Sequence, residues 1–330
     1  MMSRVSEADK ALWKDALPKV VVCGLRRSGK SSILRVLFNK LSPHEASYIE
    51  PSSQPTFLPP STNPLLQLRV IEIPGSWGWE DSEQMDELFF GKCQSLVFVI
   101  DAASDEVASG VFSLAKRVIS RALRVKSNIH IHLFLNKVDA NYKFDPDSVQ
   151  AEGNKATFVQ GVVARICEDL KMPLDLAAHC TSIFDSSIHE AFSKVVQRPL
   201  LASGKVEQIL DTIVTSCRLE RAVLFDISSK LNFASDSNQT DSSMYSLMQD
   251  MLEVVIDIGG IYGTPQTSSE KTDCHISLSN GEVLYMRLIE KGLALVSIVK
   301  IEHFDKTFLL NHNISAFKDA LMRIVKATPV

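Results

Sequence analysis

A chain of 330 residues, 45% hydrophobic and 22% charged, has the make-up of a globular protein. It is long enough for two domains that each bury a core without a metal or disulfide staple. Its formal net charge of -4 argues against nucleic acid as the main partner, because phosphate binding needs a basic face. The six cysteines (Cys23, Cys93, Cys167, Cys180, Cys217 and Cys274) form no CxxC pair and have no histidine at metal-ligand spacing, so they predict reduced thiols of a cytosolic protein.

The opening stretch "MMSRVSEADKALWKDALPK" has no apolar signal core, and nothing reaches the roughly 18 apolar residues of a membrane span. Position 2 is methionine rather than a myristoylation glycine, and the closing "KATPV" has no prenylation cysteine. Together these signals predict a protein neither secreted nor integral, with any membrane attachment borrowed from a partner.

Residues 1–18 read as an N-terminal extension. From Lys19 to about Leu200, apolar runs alternate with helical patterns: "KVVVCG", "LLQLRVIEIPG", "SLVFVIDA", "IHIHLFLNKVD" and a weaker "DLAAHCTSIF". That alternation predicts a doubly wound, mostly parallel sheet covered by helices over 19–200, an α/β fold that binds ligands at the carboxyl ends of its strands. Between the first helix and the second run lies the proline-rich "LSPHEASYIEPSSQPTFLPPSTNPL", too long for an ordinary connection and therefore either disordered or a functional loop.

A break at "QRPLLASGK", Gln197 to Lys205, changes the pattern. "RAVLFDIS" and "KLNFAS" read as a hairpin, and "ASDSNQTDSS" as a mobile surface loop. "MYSLMQDMLEVVIDI" has helical spacing, and its Met-rich face reads as core or as interface. "EVLYMRLIEKGLALVSIVK" holds two strands around a turn at Glu290 to Gly292, and "ISAFKDALMRIVKA" closes as an amphipathic helix. Residues 201–330 thus predict a separate α+β domain.

Gly24, Gly29, Lys30 and Ser31 match GxxxxGK[ST] after a β-branched run and before a helical pattern, the context a phosphate-binding loop requires. Main-chain amides along Arg26, Arg27, Ser28, Gly29, Lys30, Ser31 and Ser32 would turn inward at phosphate oxygens, reinforced by the positive end of the helix. Lys30 would lie along the β- and γ-phosphates, and the Ser31 hydroxyl would take one position around Mg²⁺.

The fourth run ends in Asn136, Lys137, Val138 and Asp139, which resembles the NKxD guanine-specificity motif of small GTPases. A carboxylate at Asp139 can accept both N1–H and N2–H₂ of guanine, and adenine leaves that acceptor unpaired. Asn136 would tie this loop to the phosphate loop, and Lys137 would lie against the purine and sugar. Thr181, Ser182 and Ile183 would complete the base pocket. GTP or GDP with Mg²⁺ is thus the expected ligand, and an ATP-using P-loop enzyme is the competing reading.

The fragments "GLRRSGKSS", "LSPHEASYIE", "LVFVIDA", "TSIFDSSIHEAFSKVVQ" and "ERAVLFDISSKL" resemble the Rag GTPases, most closely the RagC/RagD type and its fungal counterparts, from about Lys19 to Tyr262. The resemblance implies a Ras-like P-loop GTPase domain followed by a roadblock/longin-like domain. It also implies that the second domain pairs with its equivalent in a RagA/RagB-type subunit. In that family the heterodimer rests on a lysosomal or vacuolar scaffold and reports amino-acid supply to the TOR kinase complex. The expected location is therefore cytoplasmic and peripheral on that membrane.

One departure from the family pattern concerns chemistry. Where GTPases carry DxxGQ, this chain has Glu72, Gly75 and Ser76. Glu72 keeps the charge on a longer arm that can reach the outer shell of the metal. Ser76 is too short to hold a water in line as glutamine does, and positioning is most of what a protein contributes to phosphoryl transfer. By alignment with the family Ser52 falls at the switch threonine that covers Mg²⁺, with Ser53 and Thr56 as alternatives. These changes weaken hydrolysis without touching affinity, so intrinsic turnover is expected to be no faster than about 10⁻⁴ to 10⁻³ per second. A scaffold subunit that holds nucleotide without functional hydrolysis is the alternative.

Trp77 and Trp79 read as a docking surface or as simple packing.

Overall fold

The computed structural model describes residues 17–58, 68–79, 83–103, 109–141, 144, 151–168, 175–197, 203–238, 242–262, 273–290, 292–304 and 307–327. Nearly all of the N-terminal extension, the centre of the proline-rich stretch and part of the Gln197 to Lys205 break lie outside them. The chain forms two compact units that divide between Ala191 and Phe192.

The first unit is built on a six-stranded sheet in the order β2-β3-β1-β4-β5-β6. Its strands are β1 (Lys19–Gly24), β2 (Thr56–Phe57), β3 (Arg69–Glu72), β4 (Cys93–Asp101), β5 (His130–Asn136) and β6 (Leu176–Thr181). All neighbours pair in parallel except β2, which runs antiparallel to β3 with Thr56 opposite Glu72. The valines of β1 are buried on both faces, which is why the run is continuously apolar rather than alternating.

On one face, Val21, Cys23, Ile71, Phe98 and Leu133 pack with Phe89 and Phe90 of one helix, Glu83–Phe90 (α3), and with Ala115, Val118 and Ile119 of another, Ser109–Val125 (α4). Val162 and Ile166 of Ala151–Cys167 (α5) join the same cluster. Helix Lys30–Asn39 (α1) buries Ile33, Leu34 and Leu37. The four-residue Pro43–Ala46 (α2) starts on a capping box, in which Ser42 Oγ accepts the Glu45 amide at 3.3 Å and the Ser42 amide donates to Glu45 at 3.2 Å. Helix Ser187–Gln197 (α6) completes the series and contains the division between the units.

The second unit holds a five-stranded antiparallel sheet in the order β8-β7-β11-β10-β9. Its strands are β7 (Leu219–Asp226), β8 (Asn232–Ser235), β9 (Asp273–Ser277), β10 (Glu282–Glu290) and β11 (Leu293–Lys300). Helix Ser242–Tyr262 (α8) packs Tyr245, Met248, Met251 and Leu252 onto Val223, Phe225, Leu284, Met286 and Val296. Tyr285 and Arg287 point to the opposite face, where both donate to Asn311 of Thr307–Ala327 (α10), at 3.0 and 2.5 Å. Beside α10, and against β7, lies Ser203–Cys217 (α7), while the short Ile301–Phe304 (α9) follows β11. The result is an α+β sandwich with helices on both faces of one antiparallel sheet.

Several elements differ from the sequence-based expectation. Strands β2 and β9 and helix α7 are additional; the two strands are short or largely polar and carry little hydrophobic periodicity, whereas α7 does carry it and buries Val206, Leu210 and Ile213 at helical spacing. The "ASDSNQTDSS" segment was expected to be a mobile loop, yet its described part is held. Asp236 is buried, accepting from Arg221 at 3.1 Å and from the Ala222 amide at 3.0 Å, and the Ser237 amide donates to Asp211 at 2.7 Å. The Met-rich face of helix α8 is core. Met248 and Met251 of α8 are core, while Leu247, Val254, Ile258 and Ile261 are exposed on its outer side.

Candidate functional site

The loop after β1 takes its shape from two left-handed residues, Arg27 (φ 64) and Gly29 (φ 96), which turn successive amides toward a common point. Gly29 also satisfies a contact that no other residue would: a Cβ there would lie 2.2 Å from Nδ2 of Asn136. Gly29 caps α1 without any side-chain hydrogen bond, and the first helical amide to bond back is that of Ile33, to Gly29 O at 2.9 Å. The amides of Lys30, Ser31 and Ser32 therefore remain available to an anion at the helix start.

Lys30 is buried and folds back to donate to Leu25 O at 2.7 Å. Burial pushes its amine below the ordinary lysine range, and the Glu72 carboxylate pulls it partly back up. Phosphate oxygens beside that amine would favour its charged form. Cys23, beside the loop, is no nucleophile, because burial pushes its thiol far above the ordinary value.

Across the loop, Asn136 at the end of β5 donates from Nδ2 to Ser28 O at 3.0 Å and accepts at Oδ1 from Thr181 at 3.3 Å. A single side chain thus bolts together the ends of β5 and β6 and the phosphate loop. Lys137, also left-handed (φ 67), donates to Arg27 O at 2.7 Å and pairs with Asp101 at 2.5 Å. Asp139 stands exposed on the 3₁₀ turn Val138–Ala140.

The loop after β6 is stitched by its own serines. Ser182 is buried, its hydroxyl accepts the Phe184 amide at 3.0 Å, and its own amide donates to Ser187 Oγ at 2.9 Å. What Ser182 can still offer is its hydroxyl hydrogen. Ile183 is half-buried beside it.

The metal-side residues converge on one carboxylate. Ser31 Oγ donates to Glu72 Oε1 at 2.6 Å, and Ser52 Oγ donates to the same oxygen at 3.3 Å. Of the three candidates for the switch position, Ser52 is the one with a hydrogen bond to Glu72, whereas Thr56 bonds to Gln54 O at 3.5 Å. Two hydroxyls and a carboxylate are a hard, sparse donor set, which suits Mg²⁺ completed by phosphates and waters. Among the described residues, no group of three or more His, Cys, Asp or Glu could hold a metal ion by itself.

Gly75 lies against the phosphate loop: a Cβ there would meet Arg26 N at 2.3 Å and Leu25 C at 2.5 Å. Ser76 and the side chains of Arg26 and Arg27 are exposed. The Ser32 hydroxyl turns away to Ala46 O at 2.7 Å, so Ser32 would face an anion through its amide alone.

Residues 19–255 match the conserved region of the Gtr1/RagA G proteins. The chain is 32% identical over 316 residues to the human Ras-related GTP-binding protein C, covering 93% of this chain and 76% of that protein. It is 33% identical over 328 residues to GTP-binding protein GTR2 of Saccharomyces cerevisiae, covering 93% and 92%, and 33% identical to its Schizosaccharomyces pombe counterpart gtr2, covering 93% and 97%. The chain belongs to the Rag GTPase family, on its RagC/RagD side. This Rag GTPase is accordingly a guanine-nucleotide-binding subunit with a P-loop GTPase fold and a roadblock-like second unit.

Sequence reasoning gave no role to Asp101 and assigned Thr181 to the base pocket alone, yet both organise the site. Asp101 ends the "SLVFVIDA" run, and a carboxylate at the carboxyl end of a central strand was the available signal. Thr181 was visible only as part of the base loop, yet it is fully buried and orients Asn136. No helix among the described residues of this Rag GTPase is long and apolar enough to cross a membrane.

Proposed function

We propose that this chain is the nucleotide-switch subunit of a heterodimer with a RagA/RagB-type partner, that it relays amino-acid sufficiency to the TOR kinase complex at the lysosome or vacuole, and that it hydrolyses GTP slowly. The observation that carries the reading is the Asn136 bolt, which places a phosphate-binding loop and an NKxD turn on one rigid frame. On that frame the amides from Arg26 to Ser32 grip phosphate, Lys30 neutralises it, and Asp139 selects guanine. Ser31 and Ser52, with Glu72 behind them, would hold Mg²⁺, which bridges phosphate oxygens and neutralises developing charge when bound.

Two regions of the sequence divide the labour. The first carries the nucleotide over 19–200. The second, over 201–330, supplies the partner-binding surface: the exposed stripe Leu247, Val254, Ile258 and Ile261 on α8, and the outer edge of β9, which has no strand neighbour among the described residues. Attachment to the membrane then follows through the heterodimer and its scaffold, with the chain cytoplasmic.

The proposal is tested by denaturing the purified native protein, identifying the released nucleotide, and recording whether a second GTPase chain co-purifies. GDP or GTP with a RagA/RagB-type chain is the expected result. A protein that releases no guanine nucleotide and does not take it up with magnesium would end the proposal.

The exposed, short Ser76 favours a second reading, a scaffold subunit whose nucleotide is never turned over. Ser76→Gln separates the two. Restoring a side chain that can hold the attacking water is expected to raise single-turnover phosphate release about 10- to 100-fold from its slow baseline. An unchanged rate would favour the scaffold.

A further inference from the structure

Arg121 is a buried cation at 2% exposure on the helix that faces the segment after β3, and none of the phosphate or guanine chemistry uses it. Its Nε donates to both oxygens of Asp86 at 2.9 and 3.0 Å, its Nη2 lies 2.8 Å from Asp86 Oδ1, and its Nη1 donates to the carbonyl of Trp79 at 2.8 Å. The planar fork therefore grips α3 and the chain just ahead of it at once, a geometry that lysine could not reproduce.

Trp79 itself is held left-handed (φ 41), an uncommon conformation for a bulky aromatic residue, which persists only where the surroundings fix it. Its ring stacks on Phe90 with centroids 6.2 Å apart and planes within 6°, while Trp77 meets Phe89 edge-on at 5.6 Å. These contacts answer the earlier alternative for the two tryptophans, which are engaged in packing. At the phosphate end the same segment is wedged by Gly75 against the backbone of Leu25 and Arg26, and the Ile73 amide is bonded to Val22 O at 2.8 Å.

The segment before β2 is held differently. Tyr48 is 88% exposed, Ala46 is the only buried residue from Pro43 to Pro55, and the ties of this stretch to the rest of the unit include Ser32 to Ala46 O and Ser52 to Glu72. Lightly buried segments open first, and well-buried ones resist.

We infer that Arg121 and Asp86 lock residues 75–79 and helix α3 in one conformation in both the GDP and the GTP state, so that nucleotide identity is signalled by residues 43–57 alone. The inference rests on the nucleotide-switch reading above. It makes Arg121 a positioning residue, remote from the phosphates, that turns half of the usual switch apparatus into a fixed platform. The loss of the water-holding glutamine at Ser76 is consistent with this, because a segment that does no in-line positioning has no need to move.

Amide hydrogen exchange on the full chain, loaded with GDP or with a non-hydrolysable GTP analogue, tests it. The expected result is a clear nucleotide-dependent change in peptides from 43–57 and no more than about a twofold change in peptides from 73–79 and 83–90. In Arg121→Lys and Asp86→Asn, which unmake the fork while leaving the aromatic packing, the second set should become nucleotide-dependent. A wild-type response of 73–90 as large as that of 43–57 would overturn the inference whether or not the variants fold. Failure to load either guanine nucleotide would remove the switch reading, and this inference with it. A response in neither segment would overturn the inference as well, because residues 43–57 would then signal nothing.

Discussion

Asp139→Asn is expected to lower guanine nucleotide affinity about 10⁴-fold, the scale on which a site built to bond a polar edge rejects a ligand that no longer pairs with it. The carboxylate accepts both N1–H and the exocyclic amine of guanine. An asparagine presents one acceptor and one NH₂ donor, so it faces the guanine amine with another donor. Xanthine carries a carbonyl where guanine carries that amine, and the variant should bind xanthosine diphosphate with most of the affinity lost for GDP. Because Asp139 is exposed on a 3₁₀ turn and takes no part in the Asn136 bolt, folding stability should stay within about 0.5 kcal/mol of wild type. Competition between fluorescent GDP and xanthosine diphosphate, with ATP as the control, reads this out. An ATP preference unaffected by the substitution would mean that Asp139 does not meet the base.

The second large effect concerns the partner. Val254 and Ile258 are 47% and 50% exposed on α8, on the stripe that also carries Leu247 and Ile261. Apolar side chains repeated along one face of a helix form a surface of the kind that monomeric proteins rarely leave uncovered. Central apolar anchors of an interface are each worth about 2 kcal/mol or more. Burying two carboxylates in their place adds a desolvation penalty. Val254→Glu combined with Ile258→Glu should therefore weaken heterodimer formation by at least about a thousandfold. Co-expression with a RagA/RagB-type subunit followed by size-exclusion chromatography should show separate chains. Both positions already face solvent, so GDP binding by the variant should be unchanged. An intact heterodimer would place the interface elsewhere.

Both predictions join what is local in the chain to what is not. The phosphate loop could be read directly because its cause is local: glycines that permit a left-handed turn, a lysine and serine at the helix start, and a β-branched run before them. The same holds for Asn136 to Asp139 at the end of β5 and for the hairpin of β10 and β11, whose apolar runs and turn lie adjacent in sequence. Composition, parallel-sheet character and the Rag resemblance came from such short-range patterns.

Tertiary structure decided what depends on residues distant in sequence. Sequence put Ser52 at the switch position with Ser53 and Thr56 as alternatives, and only the fold brings the Ser52 hydroxyl to Glu72. Nothing in the sequence pairs Asp86 with Arg121, and only the packing of α3 on α4 joins them as one ion pair. The open edge of β9 is polar and exposed, so no hydrophobic alternation announced it. Local backbone preference and hydrophobic period are written residue by residue. The partner of a buried charge or hydroxyl is fixed only when the core closes, because the cost of leaving it unpaired exists only there.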